Sequence, residues 1–130
     1  MAGYRVLLVD DEEEFVSALS ERLMLRGIEV DSALNGEEAL ARMDEKQFEV
    51  VILDVMMPGL SGLEVLRQIK STHPNTQVIL LTGHGATREG MEGMRLGAFD
   101  YLIKPVDIEE MLEKMSQAVK AAGTGWSDGS

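Results

Sequence analysis

Short, uninterrupted apolar runs recur along the chain and constrain its fold more than any other feature. Val6-Leu7-Leu8-Val9, Val50-Val51-Ile52-Leu53 and Val78-Ile79-Leu80-Leu81 are bounded by polar or turn-forming residues and show no polar alternation. Runs of this length suit strands rather than helices, and a strand that is apolar on both sides must be covered on both sides. That is the condition of a parallel sheet between two layers of helices. Longer segments of helical period separate the runs, so the chain reads as repeated strand–helix units.

The first helical segment, about Glu12 to Arg26, sets Phe15, Ala18, Leu19 and Leu23 at helical spacing and stops at Gly27. The second strand, about Ile28 to Ala33, alternates Ile28 and Val30 with Glu29 and Asp31, which places it at a sheet edge. Asn35-Gly36 opens a helix over Glu37 to Glu45 with Ala39, Leu40 and Met43 inward. A turn carrying Pro58, Gly59 and Gly62 leads to a helix from about Leu63 to Ser71, ended by His73-Pro74. A fourth helix, about Thr87 to Leu96, is weakened by Gly90 and Gly93 at ~1 kcal/mol each relative to alanine. Those glycines fit either a moving element or close helix packing. A fifth strand over Asp100 to Ile103 precedes a helix from about Ile108 to Ala121, with Met111, Leu112, Met115 and Val119 on one stripe.

One domain accommodates all of this, because 130 residues with 45% hydrophobic content supply a single core. Residues 1–121 form that domain, and the composition of residues 122–130, Trp126 included, is that of a flexible tail or linker. Twenty-three acids against twelve Lys and Arg, a formal charge of −11, oppose a nucleic-acid-binding surface. No apolar run approaches the ~20 residues of a membrane span, and Met1 to Arg5 lacks a signal-peptide h-region, so the expected location is cytoplasmic. Without cysteine there is no disulfide framework and no thiolate metal site.

The strand ends carry the chemistry. Arg5 to Val9 runs into Asp10-Asp11, and Val50 to Leu53 runs into Asp54. Gln77 to Leu81 ends at Thr82-Gly83, and Asp100 to Ile103 ends at Lys104-Pro105. Open α/β sheets bind ligands at the carboxyl ends of their strands, so three carboxylates, a hydroxyl and an ammonium converge on one rim. Carboxylates so close repel one another unless a cation joins them. Glu12, Glu13 and Glu14 read as a solvated acidic helix start favoured by the helix dipole.

The ordered set Asp10-Asp11, Asp54, Thr82 and Lys104-Pro105 resembles the receiver domain of bacterial two-component response regulators, over about Tyr4 to Ala121. Leu81-Thr82-Gly83-His84-Gly85 is similar to receivers of the nitrogen-regulatory and nodulation-type branch. The resemblance implies a flavodoxin-like, doubly wound five-stranded parallel sheet in order 2-1-3-4-5 with five helices. It implies that Asp54 accepts a phosphoryl group from a sensor histidine kinase, and that Mg2+ (or Mn2+) is held by Asp11, Asp54 and the Met56 backbone carbonyl, with Asp10 acting through water. Lys104 pairs with Asp54 before the reaction and with a phosphoryl oxygen after it. Thr82 and the backbone N–H groups of Met56 and Gly83 cradle that group, and the missing side chain at Gly83 leaves access open. It further implies a cis Lys104–Pro105 bond and a switch in which Thr82 moves to the phosphoryl group while Tyr101 turns inward.

The output surface implied is the fourth helix, fifth strand and fifth helix, with Arg88, Glu92, Arg95, Asp107 and Lys114 as exposed candidates, and it serves an output domain, a partner protein or a phosphorylation-dependent homodimer. In that reading the chain is a phosphoacceptor signalling domain rather than a turnover enzyme, and His84 stands where water reaches the phosphoryl group. Three rivals fit less well. An aspartyl-nucleophile phosphatase wants an acid two residues past the nucleophile, where Met56 stands, and a flavin carrier wants a Ser- and Thr-rich loop where Asp10 to Glu13 stand. A receiver-like binding module independent of phosphate is the third.

Overall fold

The structure, a computed structural model, describes residues 3–83 and 88–122. Five strands and five helices alternate: β1 (Arg5–Val9), α1 (Glu13–Met24), β2 (Glu29–Ala33), α2 (Gly36–Glu45), β3 (Val50–Asp54), α3 (Gly62–Thr72), β4 (Gln77–Thr82), α4 (Arg88–Arg95), β5 (Asp100–Ile103) and α5 (Ile108–Ala122). All neighbouring strands pair in parallel in the order β2-β1-β3-β4-β5. This is the flavodoxin-like order that the resemblance implies.

The two-residue period of a strand divides the core. Leu7, Val9, Val51, Leu53, Val78 and Leu80 face α2 and α3, where Ala39, Met43, Val65, Leu66 and Ile69 are buried. Val6, Leu8, Val50, Ile52, Ile79 and Leu81 face the other way, onto Val16, Leu19 and Leu23 of α1 and Met111, Met115 and Ala118 of α5. Every residue of β3 is buried, as a central strand covered on both faces requires. The mixed, partly exposed β2 lies at the edge, where its polar residues reach water.

Local chemistry sets the helix starts. Asn35 caps α2 by accepting from the Glu38 N–H at 2.8 Å, and Ser61 caps α3 by accepting from Glu64 at 3.2 Å. Gly27, with φ of +81°, turns the chain out of α1. In α1 the inward stripe is Val16, Leu19 and Leu23, with Phe15 partly buried, whereas Ala18 is exposed. The helical spacing counted from Phe15 misplaced Ala18, because a small residue satisfies either register. In α5, Ala118 joins Met111 and Met115 in the core, and Leu112 and Val119 flank it. Gly93 of α4 sits against Leu80 and Leu63, which is the close-packing arrangement for that glycine.

Candidate functional site

The carboxyl ends of β1, β3, β4 and β5 bring the strand-end residues together. Asp10 extends β1 by donating its N–H to the Ala33 carbonyl at 3.2 Å, and its carboxylate is fully buried. Asp54 closes β3 and is also buried, with Oδ1 accepting from the Met56 N–H at 3.2 Å. Thr82 closes β4 and is buried, while Asp11 and Gly83 are exposed at the mouth. Lys104 leaves β5 with its N–H donated to the Thr82 carbonyl at 2.8 Å, and the Lys104–Pro105 peptide is cis. One open cavity is lined by Asp11, Asp54, Met56, Thr82, Gly83 and Lys104.

Lys104 is the charge centre of this cavity. Its Nζ lies 2.7 Å from Asp10 Oδ2, 3.0 Å from Glu12 Oε1 and 3.6 Å from Asp54 Oδ2. Expected as the partner of Asp54, it is nearer to two other carboxylates. Its Nζ also lies over the Phe15 ring, 5.0 Å from the centroid. Burial works against the ammonium charge, but contact with Asp10 and Glu12, and with Asp54 farther away, outweighs it and raises the lysine above its ordinary pKa. Lys104 is therefore a permanent cation at neutral pH.

Asp54 behaves in the opposite sense. Burial is the main cause that lifts its pKa from 3.8 to about 6, the Met56 N–H and Lys104 lower it, and the negative charges of Asp10 and Asp11 raise it further. One ammonium does not neutralise this group. Oxygens of Asp10, Asp11 and Asp54 lie within 4.8 Å of one another, close enough to share a single cation. Asp10 Oδ2 lies in the buried centre of the cluster, paired with the Lys104 ammonium at 2.7 Å. Three sets of hard carboxylate oxygens within reach of one ion, with more negative charge than one ammonium offsets, fit a divalent cation such as Mg2+.

Residues 6–116 match the response regulator receiver domain family. The chain belongs to this family of two-component receiver domains. It is 42% identical over 95% of its length to the uncharacterized transcriptional regulatory protein YkoG of Bacillus subtilis, covering 54% of that protein. Among solved structures it resembles a response regulator receiver domain from Clostridium thermocellum, with 36% identity, a TM-score of 0.86, and 93% of this chain covering 96% of that one. NtrX from Brucella abortus is similar at 30% identity and a TM-score of 0.86, over 94% of this chain and 28% of that one. The receiver domain spans about half or less of the length of the curated relatives it matches.

The structure also places residues in the site to which the sequence reading gave no such role. Glu12, read as part of a solvated helix start, touches Lys104, and Phe15 flanks the same side chain. Gly62 lies beneath the acceptor strand, where a Cβ would meet the Asp54 carbonyl oxygen and the Val55 Cα. Gly83 lines the mouth of the cavity, and a Cβ there would meet nothing within 4 Å. His84 and Trp126 lie outside the described residues, as do residues 123–130 of the expected tail. Of the residues expected to be exposed on the output face, Arg88, Arg95 and Asp107 are exposed, whereas Glu92 and Lys114 are half-buried in ion pairs with Arg95 and Asp100. No described helix is long and apolar enough to cross a membrane.

Proposed function

We propose that this receiver domain takes a phosphoryl group onto Asp54 from the phosphohistidine of a sensor histidine kinase and relays a conformational change to an output domain or protein. The observation that carries the reading is the meeting of a buried Asp54, the Asp10–Asp11 pair and Lys104 at one rim of the sheet. A carboxylate oxygen of Asp54 forms the bond to phosphorus as the P–N bond to the donor imidazole breaks, and the electron pair stays on the imidazole. Such a transfer needs alignment and charge neutralisation more than covalent help. When bound, Mg2+ (or Mn2+) supplies the positive charge that draws the donor phosphoryl oxygens to the acidic cluster. Asp11, Asp54 and the Met56 carbonyl would hold it, with Asp10 acting through a water.

This chain's own residues then divide the work. Lys104 moves its ammonium from the carboxylates to a phosphoryl oxygen, as a single donor on a flexible stem can do. The Thr82 hydroxyl and the N–H groups of Met56 and Gly83 receive the other oxygens. Thr82 moving toward the phosphoryl group frees space behind it for Tyr101, half-buried on the neighbouring β5, to turn inward. Output, or a phosphorylation-dependent homodimer, then uses the α4–β5–α5 face, where Met91, Met94 and Ile103 are exposed. The domain turns over only its own phosphorylation and dephosphorylation. Residues 1–121 act as this unit in the cytoplasm, and a charge of −11 puts any nucleic-acid contact elsewhere.

Intact mass after incubation with acetyl phosphate and Mg2+ tests the proposal, run beside Asp54→Asn and a chelator control. One labile phosphoryl adduct, absent from both controls, is expected. A folded protein that takes none, or an adduct that survives Asp54→Asn, would refute it.

A further inference from the structure

Glu12 occupies a helix start without serving it. It is the N-cap of α1, a position that favours Ser, Thr, Asp or Asn because the side chain accepts from the first free N–H groups. The Glu12 side chain makes no such bond. Its backbone is held by other means, since its N–H is donated to Asp10 Oδ1 at 2.9 Å and its carbonyl accepts from Val16 at 3.0 Å. The carboxylate instead reaches across the mouth of the site to accept from Lys104 Nζ at 3.0 Å.

The geometry points to Glu12 as a positioning residue that holds the Lys104 ammonium on the Asp10 side of the site and so opposes its movement to a phosphoryl group on Asp54. The inference rests on the reading of Asp54 as acceptor. Among the described residues Lys104 pairs with Asp10, Glu12 and Asp54, and the two anions that keep it from Asp54 differ in kind. Asp10 is fully buried and fixed, whereas the Glu12 side chain is 64% exposed and free to let go. Nζ itself lies over the Phe15 ring, 5.0 Å from its centroid, a cation–π contact that adds to the hold on the ammonium from the α1 side. Holding Lys104 by an exposed carboxylate is a weak restraint, equivalent to about a 2- to 5-fold bias. With acetyl phosphate as donor, the Asp54 oxygen bonds to phosphorus and acetate leaves with the electron pair. Glu12 exchanges no proton in that step, and acts only on where the ammonium stands.

The test uses the full chain with Mg2+ and two readouts, the initial rate of phosphorylation by acetyl phosphate and the dissociation constant of beryllium trifluoride. Glu12→Ala and Glu12→Gln should raise the rate and tighten beryllium trifluoride binding, each by about 2- to 5-fold. Glu14→Gln removes a charge from the same exposed start of α1, outside the cavity, and should change neither. In a Lys104→Met background Glu12→Ala should have no effect. Unchanged or lowered values for the Glu12 variants would overturn the inference. So would an equal gain from Glu14→Gln, which would assign the effect to the general negative charge of the α1 start, or a gain that persists without Lys104. If the unsubstituted chain neither accepts a phosphoryl group nor binds beryllium trifluoride, the reading of Asp54 falls and this one with it. If it does both and Glu12→Ala matches it, only the role of Glu12 falls.

Discussion

In metal-free buffer, replacing Asp54 with asparagine should make the protein more stable. Asp54 is buried at the end of the central strand with two other carboxylates near it and Lys104 at 3.6 Å, and its pKa rises from 3.8 to about 6. The folded state thus binds a proton at Asp54 more tightly than the unfolded chain does. Above about pH 6 the group is ionised in both states, and the folded state bears the whole penalty. As the pH falls from about 6 to 3.8 the folded protein is protonated first and the penalty disappears. A shift of that size corresponds to about 3 kcal/mol at neutral pH, taken as an upper value because neighbouring groups relax. Asparagine removes the charge and keeps an oxygen to accept the Met56 N–H, so most of that amount should be recovered, on the order of 10 °C in Tm. Urea unfolding followed by circular dichroism in EDTA at pH 7.5 and again near pH 4 measures it. The gain should be large at the first pH and small at the second. Equal or lower stability of Asp54→Asn at pH 7.5, or a gain that grows on acidification, would refute the electrostatic account.

Two glycine substitutions probe the framework. An added Cβ at Gly62 would stand 2.7 Å from the Val55 Cα and closer still to the Asp54 carbonyl oxygen, both backbone atoms. Gly62→Ala should therefore cost about 1–3 kcal/mol and displace the acceptor loop, lowering phosphorylation in the intact-mass assay as well as stability in urea. Wild-type phosphorylation in this variant would show that the loop position is not critical. At Gly93 the obstacle is the Leu80 side chain, fully buried in the core. Gly93→Ala should cost about 1–3 kcal/mol in overpacking, against about 1 kcal/mol gained in helix propensity, for a net loss in urea unfolding. A more stable variant would mean that α4 can shift outward without cost.

The parallel sheet, its buried strands and its β2 edge follow from signals within single segments, whereas the strand order is what the family resemblance implies. β1, β3 and β4 are apolar on both sides, and β2 alternates, so centre and edge are written in the residues themselves. The family motif then locates the functional rim, because each of its side chains lies at a strand end and parallel strands place all their carboxyl ends together. By itself the sequence therefore determined the architecture and the membership of Asp10, Asp11, Asp54, Thr82 and Lys104 in one site.

Distances of a few ångström between segments far apart in the chain were not legible, since no local period or propensity encodes them. Glu12 reads as one more acid in the run from Asp10 to Glu14, and only the fold brings Lys104 from the far end of the chain to meet it at 3.0 Å. Gly62 reads as turn punctuation until β3 and α3 close on it. The order of partners around Lys104, with Asp10 and Glu12 ahead of Asp54, is likewise a property of the assembled rim. The raised pKa of Asp54 belongs to the same class, because its largest cause is burial, which arises only when helices cover both faces of the sheet.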